Sequence, residues 1–329
     1  MESKNTHLKI LSNVVKGILY GTDSRTEHAP HILDHLELKR YMFFVIIALM
    51  PSVIASVYFF GTRVIKIILV SYIFGGIVEV AFALIRKKDI EEGFFVTGLI
   101  FPLILPPTVP LWIVASGIIF GTFFGKEVFG GTGRNIFNPA LTGRVFITIA
   151  FPEIMTASWQ VPLTDAITSA TPLTMFKTEH FITSYRDLLM GNVSGSLGET
   201  FRLGIIIGGV FLMWTKVSNW RVPFSYLGSV FMFSLAGNML FPSKIAPFLF
   251  QLLSGGLLFC AMFMATDPVT SPFTREGKYV FGVLCGLFTV LIRSFSGYVE
   301  GVMFSILLMN AFSPLIDQVI LKIKYKPLA

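Results

Sequence analysis

The sequence predicts an all-α integral membrane protein, from its composition, its apolar runs and the placing of its charges. Of the 329 residues, 53% are hydrophobic and only 14% are charged, whereas a soluble domain is about 25% charged. The mean hydropathy is +0.73. The charges lie in short clusters between apolar runs, as at residues 86–88 and 322–324. The net charge of +7 is therefore expected to orient helices in a membrane rather than to bind nucleic acid.

Ten apolar segments follow one another, and a helix needs roughly 20 apolar residues to span the hydrocarbon core. The third and the fifth are short and contain Pro or Gly, which is typical of broken helices that border a site near the middle of the membrane. The segments are 41–60, 64–85, 93–106, 109–125, 136–152, 202–218, 222–241, 245–265, 277–293 and 299–321.

The two halves of the chain share a motif. Residues 135–139 read Asn-x-Phe-x-Pro, and residues 310–314 read the same. Five segments in each half is an odd number, so the second half must lie inverted relative to the first. We therefore expect about ten transmembrane helices arranged as two inverted five-helix repeats, with a break in the helix at each copy of the motif.

Lys and Arg are more frequent in one set of loops, which predicts that both termini lie in the cytoplasm. The first 40 residues are polar and do not resemble a signal peptide. The predicted organisation is a cytoplasmic segment 1–40, a membrane half 41–152, an outer loop 153–201, a second half 202–321 and a cytoplasmic tail 322–329.

The outer loop holds the densest group of reactive side chains. Residues 165–172 read Asp-Ala-Ile-Thr-Ser-Ala-Thr-Pro, with one carboxylate, three hydroxyls and a proline that restricts the backbone of Thr171. From these residues alone, a capped turn is the simpler interpretation, because Ser, Thr and Asp favour caps.

This loop resembles the flavinylation motif, Asp-x-x-Ser/Thr-Gly/Ser-Ala-Thr, of the B subunit of the sodium-translocating NADH:quinone reductase and of the D subunit of the Rnf complex. Ser169 stands where many members have Gly. The Thr-Gly-Arg-Asn stretch at 132–135 looks more like the B subunit, whereas the short chain leaves the D subunit open. The resemblance continues in order through residues 29–40, 93–97, 130–141, 195–200, 265–269, 300–303 and 314–317.

The resemblance implies that the hydroxyl of Thr171 carries FMN as a phosphodiester, with Asp165, Thr168, Ser169 and Ala170 completing the motif. It also implies a second, non-covalent flavin, riboflavin, near the cytoplasmic side, and a fold similar to that of urea channels. The FMN would receive electrons from a partner subunit and pass them inward toward riboflavin and quinone, coupled to Na+ transport across a bacterial inner membrane. Maturation would need a flavin transferase.

Ser196, Gly198 and Glu199 precede the sixth apolar segment. Small residues let a flat ligand approach the backbone, and free N–H groups at the start of a helix suit a phosphate. These three residues are therefore predicted to contact the flavin; the alternative is a plain turn and helix cap.

The carboxylate of Glu79 lies in the second apolar segment, and that of Asp317 lies in the tenth, after the expected break. Carboxylates at membrane depth are costly and are functional by default. The resemblance implies that they serve cation uptake. The alternatives are pairing with a neighbouring Lys or Arg, and for Asp317 a place near the interface.

Other chemistries are disfavoured. Cys260 and Cys285 lie in apolar runs without metal-ligand spacing, so they are expected to be buried small side chains. The spacing of His28, His31 and His35 is interrupted by a proline and lacks a fourth ligand. The Gly-rich stretch 130–134 lacks the Lys-Ser/Thr of a nucleotide loop and is expected to be a sharp turn.

No nucleophile with an adjacent base is visible, so the chain is predicted to be an enzyme subunit without a complete active site of its own. Two alternatives stay open: the D subunit of a ferredoxin:NAD complex of the Rnf type, and a urea-channel-like transporter without a redox role. The pattern at 138–140 spells the aquaporin signature Asn-Pro-Ala, but the second motif does not repeat it.

Overall fold

The computed structural model describes residues 38–87, 93–164 and 169–325, and within these ranges the regular structure is entirely helical. A 3₁₀ turn, Glu127–Phe129, follows α4, and a π-helical turn, Cys260–Met264, follows α12. The α-helices are α1 Leu38–Phe60, α2 Arg63–Arg86, α3 Gly93–Leu103, α4 Leu111–Gly125, α5 Pro139–Ala150, α6 Pro152–Ala157, α7 Pro172–Glu179, α8 Tyr185–Met190, α9 Arg202–Trp214, α10 Arg221–Leu240, α11 Phe248–Leu253, α12 Leu257–Phe259, α13 Arg275–Phe295 and α14 Val302–Lys324.

Five of these helices are long and apolar enough to cross a membrane: α1, α2, α4 with the turn that follows it, α13 and α14. Three more, α3, α5 and α9, are apolar but shorter. A helix lies in each of the ten predicted apolar segments. The predicted all-α membrane class is therefore confirmed, while five helices meet the length and hydropathy expected of a full span.

Helix packing follows the order of the chain. In the first half α4 packs against α2 and α5, and in the second half α13 packs against α10 and α14, while α1 meets α9 between them. Gly282 and Gly286 of α13 face Ser225 and Ser229 of α10, where a Cβ would collide with the serine hydroxyls. Without a hydrophobic force between helices in lipid, such small residues allow the close packing that holds them together.

The short helix α3 ends at Leu103 and leaves irregular backbone inside the protein. The carbonyl groups at and just after this helix end accept hydrogen bonds from the loop. The N–H of Gly198 donates to the carbonyl of Leu103 (2.6 Å), and the N–H of Leu197 donates to that of Leu105 (3.0 Å). Non-helical backbone is tolerated at membrane depth only where such groups are satisfied. These hydrogen bonds place the 195–200 segment beside the end of α3.

The two Asn-x-Phe-x-Pro motifs meet in space but differ in conformation. Asn138 caps α5, accepting hydrogen bonds from the N–H groups of Ala140 (3.1 Å) and Leu141 (3.2 Å). Oriented from the hydrogen-bond network, the side-chain oxygen of Asn310 faces the N–H of Asn138 (3.2 Å). Pro314 lies inside α14, and the helix continues beyond it to Lys324. The expected break at the second motif is therefore wrong: the helix accommodates the proline.

Candidate functional site

A cavity of about 350 Å³ opens at the face of the molecule that carries the 169–201 loop, here called the loop face. Helices α5, α6, α12 and α14 and the loop itself contribute its walls. Sites for cofactors and small ligands typically measure about 300–1,000 Å³ and combine apolar walls with a few polar groups. The cavity is therefore large enough for one aromatic cofactor.

Thr171 lines this cavity and caps α7. Its Oγ1 accepts a hydrogen bond from the N–H of Thr174 (3.3 Å) and lies 2.9 Å from the hydroxyl of Thr174. Pro172 occupies the first helical position, where its missing N–H costs nothing. The capped turn that the residues alone suggested is thus present, and the same hydroxyl opens onto the cavity.

The rest of the motif is anchored to its surroundings. The N–H of Ser169 donates to the carbonyl of Trp159 (3.2 Å), and the hydroxyl of Ser194 donates to the carbonyl of Ala170 (2.6 Å). The buried hydroxyl of Ser169 has no hydrogen-bond partner among the described residues. Two further motif residues, Asp165 and Thr168, lie outside the described ranges.

Of the second predicted group, Ser196 and Glu199 line the cavity, whereas Gly198 packs against the end of α3. The N–H of Ser196 donates to the Oε1 of Glu199 (2.7 Å), and the next two amides donate to carbonyls at and beyond the end of α3. The expectation of free amides for a phosphate is therefore wrong here. These N–H groups hold the turn to the membrane domain instead.

The structure adds a carboxylate that the sequence reasoning missed. Glu300 lines the cavity, and its Oε1 accepts from the N–H of Gly256 (3.2 Å) and from the Nη2 of Arg293 (3.3 Å). Burial raises the pKa of Glu300, and Arg293 opposes that shift. The sequence did offer a signal for Glu300, because it lies in the stretch 300–303, one of those that carry the family resemblance.

Arg144 is a second missed residue. It stands on α5, lines the cavity and is 7% exposed. Its guanidinium lies 5.7 Å from the ring centroid of Trp159, and its Nη1 lies 3.8 Å from the sulfur of Met155. A charge inside a short apolar segment is a functional signal in membrane proteins, and it was available in the sequence.

Glu79 lies deep on the opposite side of the molecule from the loop and forms an ion pair with Lys126. Both side chains are almost fully buried, at 5% and 3% exposed. A neighbouring ion pair joins Arg86 and Glu127, with 2.7 Å between Nη1 and Oε2. Pairing, which the sequence left open as an alternative, is therefore what the geometry shows; the role of Glu79 in cation uptake stays a prediction.

Asp317 belongs to a separate cluster. Its carboxylate accepts from the N–H groups of Phe273 (2.9 Å) and Thr274 (3.1 Å) and from the hydroxyl of Thr274. Thr274 in turn caps α13 through the N–H of Gly277. The carboxylate therefore holds the start of α13 against α14, and its role in cation uptake stays a prediction.

A smaller cavity, of about 90 Å³, lies on the side opposite the loop. Lys126 and Asp267 are among its lining residues, and Asp267 also accepts a hydrogen bond from the N–H of Val269 (3.1 Å). Its volume is well below the roughly 300 Å³ at which small-ligand sites begin. We assign the predicted riboflavin no contacts here, and its presence stays a prediction.

The cysteines, the histidines and the Gly-rich stretch complete the predicted features. Cys260 and Cys285 are free and buried, as expected. No cluster of three metal-ligating side chains occurs within the described ranges, and His28, His31 and His35 lie outside them. Gly130, Gly131 and Gly133 have φ between +84° and +121°, which confirms the predicted sharp turn before α5.

The fold and the cavity define a class: an integral membrane protein with a mostly apolar cavity, lined in part by Thr171, on the loop face. A family model described as the NQR2, RnfD, RnfE family matches residues 25–326. Because the match spans almost the whole chain, the chain belongs to this family.

Several relatives are named as the B subunit of the Na(+)-translocating NADH-quinone reductase. The chain is 44% identical over 268 residues to that of Ectopseudomonas mendocina, covering 78% of this chain and 66% of the relative. It is 34% identical over 374 residues to that of Klebsiella pneumoniae (94% and 91%) and 35% identical over 372 residues to that of Pseudomonas aeruginosa (96% and 92%).

The chain thus spans about two thirds of the length of the E. mendocina relative and about nine tenths of the other two. The predicted resemblance to the B subunit is confirmed. These relatives are named as part of a reductase, in agreement with the prediction that the chain belongs to an oxidoreductase complex.

Proposed function

We propose that this chain is the flavin-carrying membrane subunit of a Na+-translocating NADH:quinone oxidoreductase, with FMN joined to Thr171 as a phosphodiester. The observation that carries the proposal is the position of the Thr171 hydroxyl on the wall of a cavity of about 350 Å³. The names of the relatives support NADH, quinone and Na+ as the reaction partners.

The residues around the cavity suit this cofactor. The hydroxyl and N–H of Thr174, which lie 2.9 and 3.3 Å from the Thr171 oxygen, are placed to donate to a phosphate attached there. Trp159, which lines the cavity, offers an aromatic face. When bound, FMN supplies electron transfer, while the protein positions and shields it.

In this function the chain stands between an electron donor at the loop face and a quinone acceptor toward the other side. The loop would face the periplasm and both termini the cytoplasm, in a bacterial inner membrane, with other subunits and a flavin transferase as partners. Riboflavin remains part of the proposal through the resemblance alone. Glu79 and Asp317 are proposed to take part in cation uptake.

We also propose that the helices form two inverted five-helix repeats similar to those of urea channels. The support is the parallel between the halves: the contacts of α4 with α2 and α5 match those of α13 with α10 and α14. A urea-channel-like transporter without a redox role would share this architecture, so the bound flavin is what separates the two functions.

The proposal is tested by measuring whether FMN becomes covalently attached to Thr171. Expression of the full chain with a flavin transferase should add the mass of FMN less one water, and the denatured band should fluoresce under ultraviolet light. Thr171→Ala should abolish both signals, whereas Thr156→Ala, which removes another hydroxyl of the cavity wall, should keep them. An adduct that persists in the Thr171→Ala protein, for example on Thr168, would refute the assignment.

A further inference from the structure

Three arginines are almost fully buried around the loop-face cavity, and two of them are well satisfied. Arg202 donates to three backbone carbonyls. Arg293 donates to the backbone and side-chain oxygens of Gln251, to the carbonyl of Ser254 and to Glu300. The roles of these two cations are therefore structural, since their hydrogen bonds tie loops to helices.

Arg144 differs from both. Its hydrogen-bonding contact is the weak acceptor Met155 Sδ at 3.8 Å, and its cationic plane lies over Trp159. No carboxylate of the described residues lies within ion-pair distance of it. The carboxylates of Glu300 and Glu199 attract it only at longer range. A guanidinium has five N–H donors, and a buried charge whose donors lack acceptors is expensive. Because Arg144 lines the cavity, its missing partner belongs in that cavity.

The phosphate is a poor candidate for that partner. In the proposed function the phosphate is bonded to Thr171, where the hydroxyl and N–H of Thr174 already lie at hydrogen-bonding distance. Arg144 stands on a different wall, on α5, one helical turn from Leu141, which also lines the cavity. Its guanidinium lies over the ring of Trp159, 5.7 Å from the ring centroid, and planar guanidinium groups also bind aromatic rings.

We propose that the Arg144 guanidinium binds the flavin ring in this cavity and stabilises the negative charge that reduction would place on the ring. The inference rests on the proposed function, because it presupposes FMN on Thr171. One electron from the donor in a neighbouring subunit gives the neutral ring one negative charge. Arg144 balances that charge without a proton transfer, as a fixed cation does for any nearby anion.

The test uses the flavinylated full chain and sulfite as the probe. The sulfur lone pair of sulfite adds to flavin N5, forming an N–S bond and leaving negative charge on the ring. Its affinity, read from bleaching of the oxidised flavin absorption, therefore reports a cation at the ring without turnover. The midpoint potential of the same flavin is the second readout.

Arg144→Gln and Arg144→Met should raise the Kd for sulfite about tenfold, which corresponds to about 1.4 kcal/mol, and make the midpoint potential more negative. Arg144→Lys keeps the positive charge, so its sulfite Kd and midpoint potential should stay nearer to those of the parent chain. Arg186→Gln removes an exposed arginine from the same face and is the matched control. In the flavin-free Thr171→Ala background, Arg144→Met should leave Tm unchanged or raise it, because an unpaired buried cation is removed.

Loaded Gln and Met variants with the parental sulfite Kd and midpoint potential would overturn the inference. So would a loss of FMN from Thr171 while the loaded fraction binds sulfite normally, since that result places Arg144 at the phosphate. A lower Tm of Arg144→Met in the flavin-free background would also overturn it in favour of a structural role. Failure of the proposed function is a separate result, seen as a parent chain without the FMN mass.

Discussion

Buried charge is handled differently at the two sides of the membrane domain. On the loop side, Arg144 faces a cavity of about 350 Å³ without an ion-pair partner among the described residues. On the opposite side, Glu79 is paired with Lys126, and Asp317 accepts three hydrogen bonds. The loop side is therefore arranged to receive a ligand, whereas these two carboxylates of the opposite side are already satisfied by the protein.

This difference sharpens the hypothesis of cation uptake. A cation that binds Glu79 must compete with the ammonium of Lys126, which already contacts the carboxylate. A cation that binds Asp317 must compete with two backbone N–H groups and a hydroxyl. Uptake at either residue would therefore require a local rearrangement.

The largest expected effect comes from breaking the buried ion pair. Lys126→Met should lower the free energy of unfolding by about 3–5 kcal/mol, because it leaves the carboxylate of Glu79 buried without its partner. Thermal unfolding in detergent measures the change. The double variant Lys126→Met with Glu79→Gln should recover most of the loss. Equal losses in the single and double variants would show that the pair does not carry the stability.

Asp317→Asn should cost less, about 1.5–3 kcal/mol, the range for hydrogen bonds to a charged group. The cost arises because the amide cannot accept as strongly from Phe273 and Thr274. Thr274→Val, which removes one of the donors and a helix cap, is the matched comparison. An unchanged Tm in Asp317→Asn would mean that these hydrogen bonds are not needed to hold α13.

The same two carboxylates provide a test of cation uptake. Glu79→Gln and Asp317→Asn should keep FMN on Thr171, since the attachment site lies on the loop side, and should raise the cation concentration needed for half-maximal quinone reduction. Steady-state assays over a range of Na+ concentrations in the assembled complex measure this. Lower stability with unchanged Na+ dependence in both variants would remove these residues from the pathway.

Gly198→Ala should destabilise the protein by about 1–3 kcal/mol, as overpacking does. A Cβ there would lie 2.7 Å from the Cβ of Leu103 and 3.0 Å from its carbonyl oxygen. Gly228→Ala is the control, because a Cβ at that helical position meets nothing within 4 Å. Similar Tm values for the two variants would contradict the close approach of the 195–200 segment to α3.

The smallest structural effect is expected for Ser184→Cys, which tests which side of the membrane the loop faces. Ser184 is exposed on the loop face, and the native Cys260 and Cys285 are buried, so Ser184→Cys adds one accessible thiol. If the loop faces the periplasm, an impermeant thiol reagent should label this variant in intact cells. The parent chain is the control for background labelling. Labelling that appears only after lysis would reverse the proposed orientation.

Local chemistry in the sequence was sufficient to predict the class of protein and the helix cap at Thr171. A charged fraction of 14% and long apolar runs specify a membrane domain whatever the helices pack against. The cap at Thr171 and the turn at Gly130 follow from the preferences of neighbouring residues. The order of the motifs along the chain was enough to predict the family.

The tertiary structure decided which polar groups have partners. Glu79 and Lys126 are 47 positions apart, and Glu300 and Gly256 are 44 apart, so no local pattern could pair them. Pro314 was expected to break a helix, but the packed helix α14 continues through it. Arg144 and Glu79 are both charged residues inside apolar segments, yet Glu79 is paired and Arg144 lines a cavity. The difference depends on distances between helices, which the packing of side chains sets and the sequence alone does not reveal.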